Sequence, residues 1–148
     1  MVYVDTSVLV ALIVHETGSA AVAAWYAGTK AELVCAAWCV PEFASAMGIK
    51  QRTGQLSEEQ ARGAWQRFER LVAMDLKLLP VEPAAFHRAA LLVLDAANAL
   101  RTGDALHLAC AEQAQVKSVA TLDAVMARSA QLLKIKPVQF QAAAVVVK

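Results

Sequence analysis

The sequence predicts an α/β fold: a three-layer sandwich with a central parallel sheet of four to five strands and helices on both faces. Three observations lead there. Short apolar runs alternate with longer helix-like stretches, and no linker, internal repeat or low-complexity segment interrupts them. The runs lack polar alternation, as strands covered on both faces do. The length of 148 residues suits one domain, 1–148, large enough to bury a core without staples.

The elements follow in order. Val2 to Val4 reads as a buried strand, and Asp5-Thr6-Ser7 offers caps for a helix from Val8 to about Val14. Thr17-Gly18-Ser19 opens a second helix, Ala20 to Ala27, which Gly28 ends. Glu32 to Ala36 is the second strand. Pro41 stands near the start of a third helix that runs to about Arg52 and stops at Gly54. Ser57-Glu58-Glu59-Gln60 is a capping box and opens a long helix to about Met74. Leu76 to Val81 is the third strand, and Pro83 opens a helix through Ala97. Thr102 can cap a helix from Asp104 to Ala114. Ser118 to Ala120 is the fourth strand, Leu122 to Leu132 a helix, and Pro137 to Phe140 a candidate edge strand. The tail Ala142 to Val147 shows no polar alternation and is expected to pack on a partner or to fray.

Composition narrows the function. The chain is 58% hydrophobic and only 18% charged, which predicts apolar surface kept for a partner beyond what the core consumes. An Ala-rich protein with a large core would give similar figures. The net charge of +1 excludes a broad basic footprint, so any nucleic-acid contact must be local or carried by metal ions. Cys35, Cys39 and Cys110 are an odd number without a CxxC; they read as small buried thiols in a reducing cytosol rather than a disulfide framework or zinc site. No secretory signal is visible and no apolar run is long enough to span a bilayer, so the expected location is cytoplasmic, without a membrane. Neither GxGxxG nor GxxxxGK[ST] occurs, which disfavours a nucleotide cofactor.

The informative residues are acidic. Asp5, Glu42, Asp104 and Asp123 each lie just past a strand or at the start of a helix. In an open parallel sheet such positions collect at the carboxyl ends of the strands, where ligands bind. Singly, each has a plain alternative. Asp5 can be an N-cap, Glu42 and Asp104 can complement a helix dipole, and Asp123 can be an N-terminal helix charge. Together they would repel one another at one sheet edge, and a divalent cation with oxygen ligands is the usual remedy.

The stretches Tyr3-Val4-Asp5-Thr6-Ser7-Val8-Leu9, Pro41-Glu42-Phe43-Ala44-Ser45-Ala46, Gly103-Asp104-Ala105-Leu106-His107-Leu108-Ala109 and Ala120-Thr121-Leu122-Asp123 resemble the successive motifs of PIN-domain proteins. The likeness is greatest to the small VapC-type toxins of bacterial toxin–antitoxin pairs. It implies a metal-dependent endoribonuclease that is silenced by a cognate antitoxin protein and is a homodimer. By motif, Asp5, Glu42, Asp104 and Asp123 would bind the metal, with Asp123 at the family's variable position. Thr6 or Ser7 would stand beside it as hydroxyl ligand or water-positioner, with Thr121 a further candidate. Mg²⁺ or Mn²⁺ suits such all-oxygen ligands. Water would attack the RNA in line and leave 5′-phosphate and 3′-hydroxyl ends.

Two other readings accompany this one: a housekeeping RNA-processing nuclease of the same fold, and a non-catalytic RNA-binding module. A phosphatase with an aspartyl nucleophile is discounted because position 7 is Ser, where that class carries a second Asp. His107 lies one turn beyond Asp104 and reads chiefly as a packed core histidine, with carboxylate orientation or RNA contact as the functional alternative. His15 and His87 read as surface residues, and Trp25, Trp38 and Trp65 as core or interface. Lys50, Arg52, Arg62, Arg67 and Arg70 form a loose basic region, balanced between an RNA or antitoxin contact and a solvated face with Glu58, Glu59 and Glu69.

Overall fold

The computed structural model describes residues 1–141, so the expectation for the Ala142–Val147 tail lies outside the described residues. The elements are β1 (Val2–Val4), α1 (Thr6–Ile13), α2 (Ser19–Gly28), β2 (Leu33–Ala36), α3 (Cys39–Arg52), α4 (Glu58–Met74) and β3 (Leu76–Leu79). Then come α5 (Pro83–Leu94), a 3₁₀ turn (Ala96–Asn98), α6 (Thr102–Gln113), β4 (Ser118–Ala120), α7 (Ala124–Leu132) and β5 (Lys136–Pro137). The five strands form one parallel sheet in the order β3-β2-β1-β4-β5. The expected α/β/α architecture is what the chain adopts.

Local chemistry explains the boundaries. Asp5, not Thr6 or Ser7, caps α1 by accepting from the Val8 amide, so that helix starts two residues early. At α3, Cys39 begins the helix and Pro41 falls two residues inside it, still within the first turn, where a missing N–H leaves no bond unmade. The capping box at α4 forms as read: Ser57 Oγ accepts from Gln60 N, and Gln60 Oε1 accepts from Ser57 N. Thr102 is the first residue of α6 rather than its cap; Arg101 holds the cap position and makes no side-chain capping bond. Asp123 caps α7, which moves that helix start from Leu122 to Ala124. Pro83 opens α5, but the helix closes at Leu94, because Asp95 turns to cap the following 3₁₀ turn at Ala97 N. β3 ends at Leu79, short of Val81, and the edge strand is Lys136–Pro137 rather than Pro137–Phe140.

The sheet sits in a continuous core. β2 is buried along its whole length, and so are Tyr3 and Val4 of the neighbouring β1 and Val119 and Ala120 of β4 beyond it. Helix α1 packs on α2, α3 and α4, whereas α6 packs on α5, α7 and β2. An aromatic group fixes α3 to α4: Phe43 stacks on Phe68 at 4.4 Å between ring centroids, and Trp65 lies 5.3 Å from Phe68. This locks the first turn of α3, which carries Glu42, onto the scaffold. Cys35, Cys39 and Cys110 are buried free thiols, as their spacing suggested. The apolar surplus has a location too. Phe86, Leu91, Val93 and Leu94 are exposed on α5, and beside them lies a hollow of about 460 Å³ lined by Trp38, Phe86, Val93, Leu94 and Leu106. No described helix is long and apolar enough to cross a membrane.

Candidate active site

The strand order decides where a site can form. From β1 the chain steps outward through β2 to β3; it then returns to the other side of β1 as β4. β1 and β4 are therefore neighbours whose connections leave in opposite directions, and the crevice at their carboxyl ends is where open parallel sheets bind ligands. Asp5 follows β1 directly, and Thr121, Leu122 and Asp123 follow β4. The Asp5 amide donates to the carbonyl of Ala120 at 3.0 Å, which ties the two ends together.

Asp5 is only 3% exposed. Its carboxylate accepts from Ser7 Oγ at 2.5 Å, Thr121 Oγ1 at 2.6 Å and the Val8 amide at 3.3 Å. Burial pushes its pKa up, and these three donors offset only part of that shift. The same hydroxyls hold the next loop: Ser7 Oγ accepts from Leu122 N, and Thr121 Oγ1 accepts from Asp123 N, each at 3.1 Å.

Glu42 belongs to a second network. Thr6 Oγ1 donates to Glu42 Oε1 at 2.6 Å, and the buried His107 bonds the same oxygen through Nε2. On the far side of that imidazole, Tyr3 OH lies 2.6 Å from Nδ1 and accepts from the Ala36 amide at 3.1 Å. A carboxylate oxygen only accepts, so Nε2 carries a proton and donates to Glu42; with that tautomer, Nδ1 can accept the phenol proton of Tyr3. Burial alone would raise the pKa of Glu42. The hydrogen bonds from His107 and Thr6 outweigh it and hold the carboxyl below its ordinary range. The other carboxylate oxygen sits over Gly103: a Cβ at that position would lie 2.7 Å from Glu42 Oε2. A side chain at 103 would push the Glu42 carboxylate aside; the backbone angle there makes no demand for glycine.

Among the described hydrogen bonds Asp104 has no donor, and Asp123 has donors on one oxygen only. Asp104 is raised in pKa first by burial and then by the charge of Asp123, with Asp5 adding to the effect. Asp123 uses Oδ1 to cap α7, from Val125 N at 2.8 Å and Met126 N at 3.1 Å. Its Oδ2 lies 3.7 Å from the guanidinium of Arg101, which is also 3.7 Å from Asp104 Oδ2. Thr6, Glu42, Ser45, Ile49, Arg101 and Asp104 line an open hollow of about 400 Å³ above this edge.

The four acids thus occupy one edge without converging on one point. Asp104 lies within reach of the charges of both Asp5 and Asp123, while Glu42 is drawn aside to His107. Among the described residues, no three His, Cys, Asp or Glu side chains form a preassembled metal cluster. The donor chemistry nonetheless fits a hard divalent cation. The available ligands are carboxylate and hydroxyl oxygens, and Asp104 bears mutual repulsion that such an ion would relieve.

The PIN domain family profile matches residues 2–132. The chain belongs to the PIN-domain family. A sequence search of curated proteins returns no significant match. Two solved structures resemble this PIN domain in fold. One is VapC20 of Mycobacterium tuberculosis, described as a sarcin-ricin loop cleaving toxin; it is 14% identical with a TM-score of 0.71, over 87% of this chain and 95% of that one. The other is FitAcB from Neisseria gonorrhoeae, 17% identical with a TM-score of 0.71, over 94% of this chain and 97% of that one.

Three features of this PIN domain were not read from its sequence. Tyr3 was taken as a strand residue, and its link to His107 joins positions 104 apart. Arg101 carried no signal beyond its place three residues before Asp104. Gly103 gave a helix start but no hint that Glu42 rests on it. His107 satisfies both of its readings at once, since it is buried and also orients a carboxylate. His15 and His87 are exposed, and the three Trp residues are partly buried. The basic region is largely occupied locally. Lys50 pairs with Glu16 at 2.8 Å, Arg62 with Glu58 at 3.2 Å, and Arg67 donates to the Ile13 carbonyl at 3.2 Å. That supports a solvated face more than an RNA track.

Proposed function

We propose that this PIN domain is a metal-dependent endoribonuclease that acts as the toxin of a toxin–antitoxin pair. The observation that carries the reading is the charge-strained aspartate group at the β1/β4 switch point, Asp5, Asp104 and Asp123, with hydroxyls of Thr6, Ser7 and Thr121 interleaved. Asp5, Asp104 and Asp123 would hold Mg²⁺ or Mn²⁺, with Glu42 completing the set from the side of α3. When bound, the cation lowers the pKa of water and offsets charge on the phosphate and leaving oxygen.

The chain's own groups do the rest. Ser7 and Thr121 fix the rotamer of Asp5, so its carboxylate needs no reorganisation when substrate arrives. His107 and Thr6 keep Glu42 ionised at neutral pH, able to order water or accept a proton at Oε2, the oxygen they leave unused. The open hollow beside them admits a single strand whose phosphate can approach the carboxylates. Water attack in line gives 5′-phosphate and 3′-hydroxyl ends. The toxin assignment is supported by the likeness to VapC20, and a protein partner by the exposed apolar face of α5, which suits a second copy or a cognate antitoxin.

Induced expression of the chain alone in a bacterium tests the reading. Growth arrest that Asp5→Asn abolishes, with the variant folded and equally abundant, is the expected result. Full toxicity of a folded Asp5→Asn protein would overturn the metal-nuclease reading. Cleavage of RNA without growth arrest would point to a processing enzyme, and RNA binding without cleavage to a non-catalytic module.

A further inference from the structure

Among the described residues, Arg101 is the cation that faces two acids of this edge at once. Its side chain is 85% exposed, yet its guanidinium lies 3.7 Å from both Asp104 and Asp123. Those distances are too long for hydrogen bonds, so charge alone keeps it in place and its donors stay available. It stands at the cap position of α6, just after the residues 95–100 stretch in which Ala99 takes a positive φ of 53°. It also lines the hollow shared by Thr6, Glu42, Ser45 and Asp104. By contrast, Lys50, Arg62 and Arg88 are each paired with a glutamate at 2.8 to 3.2 Å, away from that hollow.

We propose that Arg101 has two successive partners: it is the resident counter-charge of Asp104 and Asp123, and it becomes the RNA phosphate ligand once a divalent cation replaces it there. This rests on the ribonuclease reading above. Two positive charges cannot both sit between the same pair of carboxylates without repelling each other. A bound cation therefore releases the guanidinium into the hollow. Its planar fork of donors matches two oxygens of a phosphodiester, which a lysine ammonium does not. The arginine thus weakens metal binding while strengthening RNA binding, and truncating it moves the two affinities in opposite directions.

Two titrations of the full chain test this. Mn²⁺ binding is measured by calorimetry on the wild type, Arg101→Ala and Arg101→Lys, without RNA. Binding of a labelled single-stranded RNA is measured by stopped-flow anisotropy in Mn²⁺, with Asp5 intact and the signal read before cleavage, over a range of salt. Arg101→Ala is expected to bind Mn²⁺ several-fold more tightly and RNA about tenfold more weakly, with the log–log salt slope reduced by about one. Arg101→Lys should keep the salt slope and recover only part of the RNA affinity. If Arg101→Ala leaves either the Mn²⁺ affinity or the RNA affinity unchanged while the parent binds both, the proposal is overturned and the ribonuclease reading stands. A parent that binds Mn²⁺ but no RNA overturns the ribonuclease reading and this proposal with it.

Discussion

The two halves of the acidic edge are held by different physics. On the side of β1 and α3, Asp5 and Glu42 are gripped by neutral donors: Ser7 and Thr121 for the first, Thr6 and His107 for the second. On the side of α6 and α7, Asp104 and Asp123 face each other across an exposed arginine at 3.7 Å. The first half is built into the core and needs nothing further to keep its shape. The second carries repulsion that Arg101 relieves only in part, so a cation has most to offer there. On the proposed reading, the first half positions the chemistry and the second recruits its reagents.

The largest expected effect comes from removing the scaffold under the first half. Phe43→Ala deletes the ring stacked on Phe68 one residue from Glu42, and should cost about 3–5 kcal/mol in urea unfolding. A loss under 1 kcal/mol would mean that the aromatic group does not anchor α3.

Tyr3→Phe probes the same half more gently. It removes the hydroxyl shared by the Ala36 amide and His107, and should cost about 1–3 kcal/mol. It should also lower ribonuclease turnover, because Nδ1 loses the partner that orients the ring toward Glu42. Unaltered turnover with reduced stability would confine Tyr3 to a packing role. Gly103→Ala should act on Glu42 with little effect on the rest of the fold, since the new methyl meets Oε2 at 2.7 Å. Turnover equal to the wild type would show that Glu42 can move aside without consequence.

The smallest effect is the most discriminating, because its sign differs between the halves. Glu42 has a folded pKa below its ordinary value, so its contribution is present above the unfolded pKa and is lost as pH falls through the folded one. Asp104 has a raised folded pKa, first from burial and then from Asp123. Its contribution is present at acid pH and is lost as pH rises through the folded value. In EDTA at neutral pH, Glu42→Gln should therefore lower the melting temperature and Asp104→Asn should raise it, each by roughly 2–4 °C for about 1 kcal/mol. Both differences should shrink toward pH 3. Shifts of the same sign would erase the distinction between the halves. Millimolar Mn²⁺ should raise the melting temperature of the wild type and do so less for Asp104→Asn.

Much of this was legible in the sequence. Buried strands without alternation, the capping box at Ser57 and Pro83 at a helix start gave the sheet and most helices directly. Three of the boundaries that moved, the starts of α1 and α7 and the end of α5, did so for one reason. Asp5, Asp95 and Asp123 each spend a side-chain oxygen on capping, and sequence alone does not say which of several neighbouring polar residues will win that contest. The positions of the acids were readable because strand ends and helix starts must meet at one edge of a parallel sheet. Their grouping was not. That Glu42 turns to His107, and that Arg101 also reaches Asp123, depends on side-chain directions set by contacts across more than 20 residues of chain.

The measurement that bears most directly on the central claim is the chemistry of the cut ends. Purified protein is incubated with cellular RNA in Mn²⁺, in Mg²⁺ and in EDTA, with Asp5→Asn run in parallel, and the new termini are sequenced. The account predicts discrete cuts with 5′-phosphate and 3′-hydroxyl ends in the presence of metal, and none in EDTA or with the variant. Cuts that persist in EDTA, or that leave 2′,3′-cyclic phosphates, would contradict it.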